Sequence, residues 1–313
     1  MSDEAIMPAA TAATGYYGLP LLKKPVWTWE VPLYFFVGGA AGVSSVIAAA
    51  AEWTDGDSTL VRDAQWIAAA GGAMSAALLT ADLGRPERFV NMLRVFKPQS
   101  AMSVGSWTLT AFSTLSSASA FAAAMDRRLG GGTPVRVIHR IAAPPAALLG
   151  TVMSTYTGVL IGATAIPVWN TNVRLLPLHF GTSGVASAVA ALELMGHDDE
   201  ALNMLATMAA AIETATGVIV ELRRGADTSP LRDGASGALT RVGGILSGPV
   251  PLLCRALGFR RPEFRRAACV SALAGSLITR LAWIAAGRAS ADDPAVPLGL
   301  PAADDQSITR RSA

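Results

Sequence analysis

Val31–Ala51 reads VPLYFFVGGAAGVSSVIAAAA, 21 residues without a single Asp, Glu, Lys or Arg. At a rise of about 1.5 Å per residue, a helix of that length crosses the ~30 Å hydrocarbon layer of a bilayer. The stretch is one of several. Ala64–Ala81, Pro98–Met125, Ile141–Val173 and Leu175–Leu192 are free of the same four residue types, while Ala201–Val220 and Ala267–Gly287 carry one charge each, Glu213 and Arg280. Val242–Cys254 is the weakest candidate, 13 residues containing Pro249 and Pro251. If it crosses, the stem of Arg255 must snorkel toward the headgroups; the alternative is a re-entrant segment.

These runs predict an all-α integral membrane protein of about eight transmembrane helices joined by short connections. In lipid every backbone polar group must be satisfied internally, and no segment here alternates like a barrel strand. The whole composition agrees: 51% of the 313 residues are apolar and 15% charged, with a mean hydropathy of +0.41, which excludes an ordinary soluble domain. Small residues at Gly38 and Gly42, Gly71 and Gly72, and Gly158 and Gly162 are spaced for close helix contact. Residues 1–26 read as a polar N-terminal arm and residues 289–313, rich in Asp, Pro and Ser, as a C-terminal tail. The first apolar run starts too late and runs too long for a cleaved signal peptide, so it is expected to stay as a span. Gly130-Gly131-Gly132 reads as a flexible loop rather than a phosphate cradle.

Basic residues divide almost evenly between alternate connections, so the positive-inside rule assigns no orientation. The net charge of +2 points to no nucleic-acid partner, because the basic residues flank helices as in any membrane protein.

Cofactor chemistry narrows by subtraction. Cys254 and Cys269 lack the clustered spacing of an Fe–S or zinc site and are expected to be structural thiols. A haem in a bundle wants two facing histidines, whereas His139 sits at a span's edge, His179 inside a span and His197 in an acidic loop. The chain is therefore expected to hold no haem and no metal. Any electrons it handles pass through a cofactor diffusing in the membrane and a cluster in another subunit.

Ionisable groups at membrane depth are costly and mark cavities or partners. With alternating spans, one end of the bundle collects Trp27, Trp29, Glu30, Tyr34, Asp82, Arg85, Ser103, Trp107, Trp169, His179, Glu221 and Arg280. The other end holds the poorer set Glu52, Trp53, Asp126, Glu193 and His197. An interfacial aromatic belt accounts equally for the tryptophans, and Asp82 with Arg85 also reads as a local ion pair before Pro86. Glu87–Lys97 reads as an amphipathic surface helix with Phe89, Met92, Leu93 and Phe96 on one face. Its polar side, with Arg88, Asn91, Arg94 and Lys97, lies at the headgroups or presents itself, with Trp27, to a docked protein.

The chain resembles the NrfD family, the membrane subunit of polysulfide-reductase-type complexes. The likeness lies in Trp27-x-Trp29-x-x-Pro32-x-Tyr34 followed by Gly38-Gly39-Ala40-Ala41-Gly42, and in Asp82-Leu83-Gly84-Arg85-Pro86-x-Arg88-Phe89. It continues in Ser100-x-Met102-Ser103-x-Gly105-x-Trp107, Tyr156-Thr157-Gly158, Pro167-x-Trp169, Phe180-x-x-Ser183-Gly184, Arg280 and the closing Ala286–Pro294.

The resemblance implies two four-helix bundles, residues 27–173 and 174–288. A quinone, menaquinone or ubiquinone, is expected in the first bundle, near the face where a four-cluster-type Fe–S subunit docks and leads on to a molybdopterin or similar catalytic subunit. It also implies a multi-pass protein of the cell's inner membrane, with Tyr156 and Glu30 at the quinone. Relatives often carry an amide or imidazole where this chain has the Glu30 carboxylate. The expected quinone-binding set is Tyr156, Glu30, Tyr34, Asp82, Arg85 and His179. Tyr156 is to hold one carbonyl, Glu30 and Asp82 to relay protons, and Arg85 to keep Asp82 ionised. Glu213 and Glu193 could extend a proton route across the second bundle, or be capped by hydroxyls. Two other classes fit the spans: a transporter, for which no convincing internal repeat is present, and an anchor that tethers an Fe–S subunit without binding quinone.

Overall fold

The computed structural model describes residues 22–292 apart from 131, 224, 259 and 260. Most of the N-terminal arm, the middle glycine of the 130–132 run and the tail beyond Asp292 lie outside the described residues. Every regular element among the described residues is helical: α1 (Glu30–Trp53), α2 (Ser58–Asp82), α3 (Pro86–Met92), α4 (Ala101–Leu129), α5 (Gly132–Gly162), α6 (Pro167–Asn170), α7 (Leu175–Leu194), α8 (Glu200–Leu222), α9 (Gly234–Ser247), α10 (Pro249–Leu257) and α11 (Pro262–Asp292). A 3-10 turn, Ala226–Leu231, joins α8 to α9.

Seven segments among the described residues are long and apolar enough to cross a membrane, with α9 and α10 together forming one of them. The 29-residue α4 is as long but rich in Ser and Thr, which lowers its hydropathy. Those hydroxyls are absorbed locally: Thr110 and Thr114 each donate to the carbonyl one turn back, at 2.8 Å, and Ser113 donates across to the Gly72 carbonyl at 2.9 Å. With α4 packed along α2 and α5, the expected set of about eight long rods is complete.

The helix starts are set by short polar side chains. Asp57 caps α2 by accepting from the Thr59 backbone N–H and hydroxyl, which holds its carboxyl below the usual carboxylate range. Asp199 caps α8 in the same way. Gly130 ends α4 in the left-handed region at φ 59°.

α1 is the hub. It packs along α2 and α5 on one side, and on α7 and α11 on the other. The α1–α5 contact is so close that a Cβ on Gly42 would lie 2.4 Å from the Gly150 carbonyl oxygen, as the small-residue spacing predicts. Ser45, one turn on, lies within hydrogen-bond reach of Gly42 O, at 2.7 Å, and of Ala146 O of α5, at 3.3 Å.

Three expectations change. The surface helix over 87–97 shortens to α3, because the chain turns after Met92; Phe96 is 53% exposed and packs edge-on to Trp107 instead of joining Phe89 on one face. The weak span breaks at Gly248 into α9 and α10, where a Cβ would lie 2.7 Å from Thr214 Oγ1 on α8. Arg255 does not snorkel. It is buried and forks onto Glu193 of α7 at 3.0 and 2.5 Å, since a carboxylate inside the bundle offers it a better partner than the interface does.

Candidate functional site

At the end of the bundle where α1 begins and α2 stops, α1, α2, α4 and α5 enclose a cavity with about 500 Å³ of empty space. Trp27, Val31, Phe35, Leu79, Leu83, Met92, Met102 and Leu160 give it apolar walls; Tyr34, Asp82, Ser106 and Tyr156 supply its polar groups. Gly105 fixes its shape: a Cβ there would fall 2.3 Å from the Tyr156 ring, so only glycine lets α4 and the tyrosine share the space.

The two phenols differ. The Tyr156 hydroxyl donates its proton to the Ala101 carbonyl, which leaves its oxygen lone pairs as the free function. Tyr34 is 2% exposed, lines the same cavity and has no hydrogen-bond partner among the described residues. The available donor is thus Tyr34 rather than Tyr156.

Asp82 reaches the cavity from the last turn of α2. Its Oδ1 lies 3.4 Å from the Thr28 backbone N and 3.2 Å from the Thr28 hydroxyl, and that hydroxyl also donates to Glu30. A single hydroxyl proton can serve only one of two carboxylates at a time, so Thr28 links Glu30 and Asp82 into a pair that can exchange a proton through it. The expected Asp82–Arg85 ion pair is not formed among the described residues. Arg85 is exposed at the N-terminus of α3, because Gly84 at φ +65° turns the chain away after α2.

Arg88, Asn91, Arg94 and Lys97 are all exposed beside the cavity, on α3 and the segment after it. Trp27 is committed elsewhere: it stacks on Trp169 at 5.4 Å between ring centroids and forms cavity wall. Trp169 is fully buried, donates from Nε1 to the Trp283 carbonyl at 2.8 Å, and lies so close to Gly287 that a Cβ there would be 2.0 Å from its ring. The Pro167-x-Trp169 motif and the closing Ala286-Gly287-Arg288 motif, far apart in sequence, therefore form one contact behind Trp27.

The remaining predicted residues lie among α7–α11. His179 does not line the cavity; its Nδ1 is 3.1 Å from Glu213 Oε1, and Ser247 donates to the other Glu213 oxygen at 3.2 Å. Glu193 is held by Arg255 and by the Cys269 thiol at 2.9 Å, while Arg255 also reaches Asn203 at 2.6 Å. No hydrogen bond among the described residues joins the Glu213 network to the Glu193 network. Arg280, fully buried, donates to Ser183 and Ser276 hydroxyls and to the Ser276 and Phe180 carbonyls, with the Phe180 ring 5.2 Å from its guanidinium carbon.

Sequence reasoning missed Thr28, which carries no charge and sits outside the apolar run, and the partnership of Arg255 with Glu193. The first had no signal. The second had one, two opposite charges each inside or beside an apolar stretch, which lipid forces to pair.

No curated protein matches the chain. The family described as Polysulphide reductase, NrfD matches residues 21–290, which takes in every helix described above except the last two residues of α11. The chain is thus a multi-pass membrane protein of the NrfD polysulphide reductase family, whose members are membrane subunits of quinone-interacting oxidoreductase complexes.

Proposed function

We propose that this chain exchanges electrons and protons between a membrane quinone, seated in the Tyr34–Asp82–Tyr156 cavity, and an Fe–S subunit docked beside it. One observation carries the reading: an apolar cavity is lined by a buried phenol without a partner among the described residues and by Asp82, which one hydroxyl joins to Glu30. Such a site suits a flat apolar ring with two carbonyl oxygens. When bound, the quinone supplies two-electron, two-proton chemistry. Tyr34 donates a hydrogen bond to one of its oxygens, and Tyr156, its own proton given to Ala101, accepts from the reduced form. Asp82 takes or gives a proton at the cavity wall, and Thr28 passes it to Glu30 nearer the surface.

Arg88, Asn91, Arg94 and Lys97 present a largely basic patch to the partner, a four-cluster-type Fe–S subunit that connects to a molybdopterin or similar catalytic subunit. In this reading residues 27–173 form the quinone-bearing bundle and residues 174–288 a second bundle.

The test is quinol-dependent electron transfer by the intact complex reconstituted in lipid, at matched assembly. Tyr34→Phe is expected to slow turnover roughly tenfold, the loss of one hydrogen bond aimed at the reacting group, and Glu30→Gln to slow it less. Tyr156→Phe is expected to change it by less than Tyr34→Phe. Turnover unaltered in both Tyr34→Phe and Glu30→Gln would return the chain to the class of structural anchors.

A further inference from the structure

The same four helices enclose a second polar opening at their opposite end. Glu52 in the last turn of α1 and His139 in α5 are 2.8 Å apart, and His139 Nδ1 is 2.9 Å from the Ser119 hydroxyl of α4. Glu52 and His139 line a vestibule with about 850 Å³ of empty space. Glu52 also lines a narrower space, with room for about one or two waters, that Ser45, Gln65, Ser116 and Ser119 border. Glu52 and Gln65 border both spaces, which therefore adjoin there.

Two buried polar atoms of α2 have no partner among the described residues, nor has Thr157 Oγ1 of α5. Gln65 Oε1 is one, in a side chain 7% exposed; Ser75 Oγ is the other, in a side chain 0% exposed. Both belong to α2, about 15 Å apart along its axis at 1.5 Å per residue. A Cβ on Gly38 would stand 3.2 Å from Ser75 Oγ and 3.5 Å from the Tyr34 ring, so Ser75 and the tyrosine that borders the first cavity both face the same glycine of α1. α2 then ends at Asp82 in that cavity. Buried polar atoms left unpaired inside protein are costly, and polar spaces of this kind are where structural water is held.

We infer that the Glu52–His139 opening admits a file of water that reaches Gln65 and then Ser75, giving the Tyr34 cavity a proton path to the membrane face opposite Asp82 and Glu30. The ligand is water with the proton it carries, and Gln65 and Ser75 are positioning residues for it. The water file follows from the orphaned atoms and the cavities; its use by quinone rests on the function proposed above. The chain then offers protons two exits from one site, Thr28 and its carboxylates toward one face and α2 toward the other.

Two measurements on the intact complex decide the matter. The first is a density map sharp enough to show ordered water. Water within hydrogen-bond distance of Gln65 Oε1 and Ser75 Oγ is expected, and well-ordered side chains with no water beside them would overturn the inference whatever the quinone does. The second uses liposomes with a pH-sensitive dye confined to the side that Glu52 faces. Gln65→Leu is expected to cut the proton signal per quinol on that side roughly tenfold, with turnover in detergent, where both faces share one solvent, changed less than about twofold. Ser75→Ala, which removes only a hydroxyl, is expected to lower the same ratio and guards against a folding defect in the larger change. A wild-type signal in both variants would overturn proton conduction by this route. Absence of quinol turnover in the wild type would instead sink the quinone reading and leave the water map to judge the inlet.

Discussion

The cavity end of α1, α2, α4 and α5 and the buried networks of α7–α11 treat polar groups in opposite ways. In the networks most polar groups are matched inside the protein: Arg255 forks onto Glu193, His179 and Ser247 close on Glu213, and Arg280 is ringed by hydroxyls, carbonyls and aromatic faces, although the Nε of each arginine has no partner among the described residues. At the cavity, groups keep spare capacity: Tyr34 has no partner among the described residues, Tyr156 has free lone pairs, and one Thr28 proton is shared between two carboxylates. Matched groups hold a structure in place. Groups with capacity to spare can meet something that comes and goes.

The largest effect that would test this contrast lies in the networks. Arg255→Leu strips Glu193, at 2% side-chain exposure, of its guanidinium partner, and is expected to cost about 3–5 kcal/mol of stability, read as a fall in the thermal unfolding midpoint of the purified complex. The double change Arg255→Met with Glu193→Gln is expected to be milder than the single one. Equal losses would show that the pair is not the matched unit described here. At the cavity end a smaller and different effect is expected: Thr28→Val should leave the unfolding midpoint within about 0.5 kcal/mol of the wild type while slowing quinol turnover a few-fold. Its failure to slow turnover would remove Thr28 from the relay. A small effect on stability, with none on turnover, is expected of Arg241→Gln, since Arg241 and Glu221 are each about half exposed and 3.0 Å apart; such a surface pair contributes within about 1 kcal/mol. A larger loss would mean that the division between matched interior and pliant surface is drawn in the wrong place.

Much of this was legible in the sequence. Charge-free runs gave the helices, small-residue spacing marked Gly42 for close contact without naming its partner Gly150, and helix polarity gathered Tyr34, Asp82 and Glu30 at one end. What stayed hidden was pairing across the bundle. His179 shares an end with Tyr34 by topology, yet it turns to Glu213, because rotation about a helix axis, and not depth alone, decides which neighbour a side chain meets. Arg85 was placed three residues from Asp82, but Gly84 redirects the chain between them. α10 shows the same limit: Pro249 and Pro251 signalled a break, whereas the inward aim of Arg255 depended on a glutamate 62 residues earlier.

The stacking of Trp27 on Trp169 has a consequence for biosynthesis. Trp169 leans on Gly287 and the Trp283 carbonyl, and Arg288 donates to the Trp27 carbonyl, so a wall built from the first residues of the bundle is braced by the last turns of α11. A ribosome releases those turns after every other helix has been made. The first cavity to be outlined during synthesis is therefore the last to be closed, and a nascent chain cut short before Gly287 would carry its four early helices without the brace that fixes Trp27.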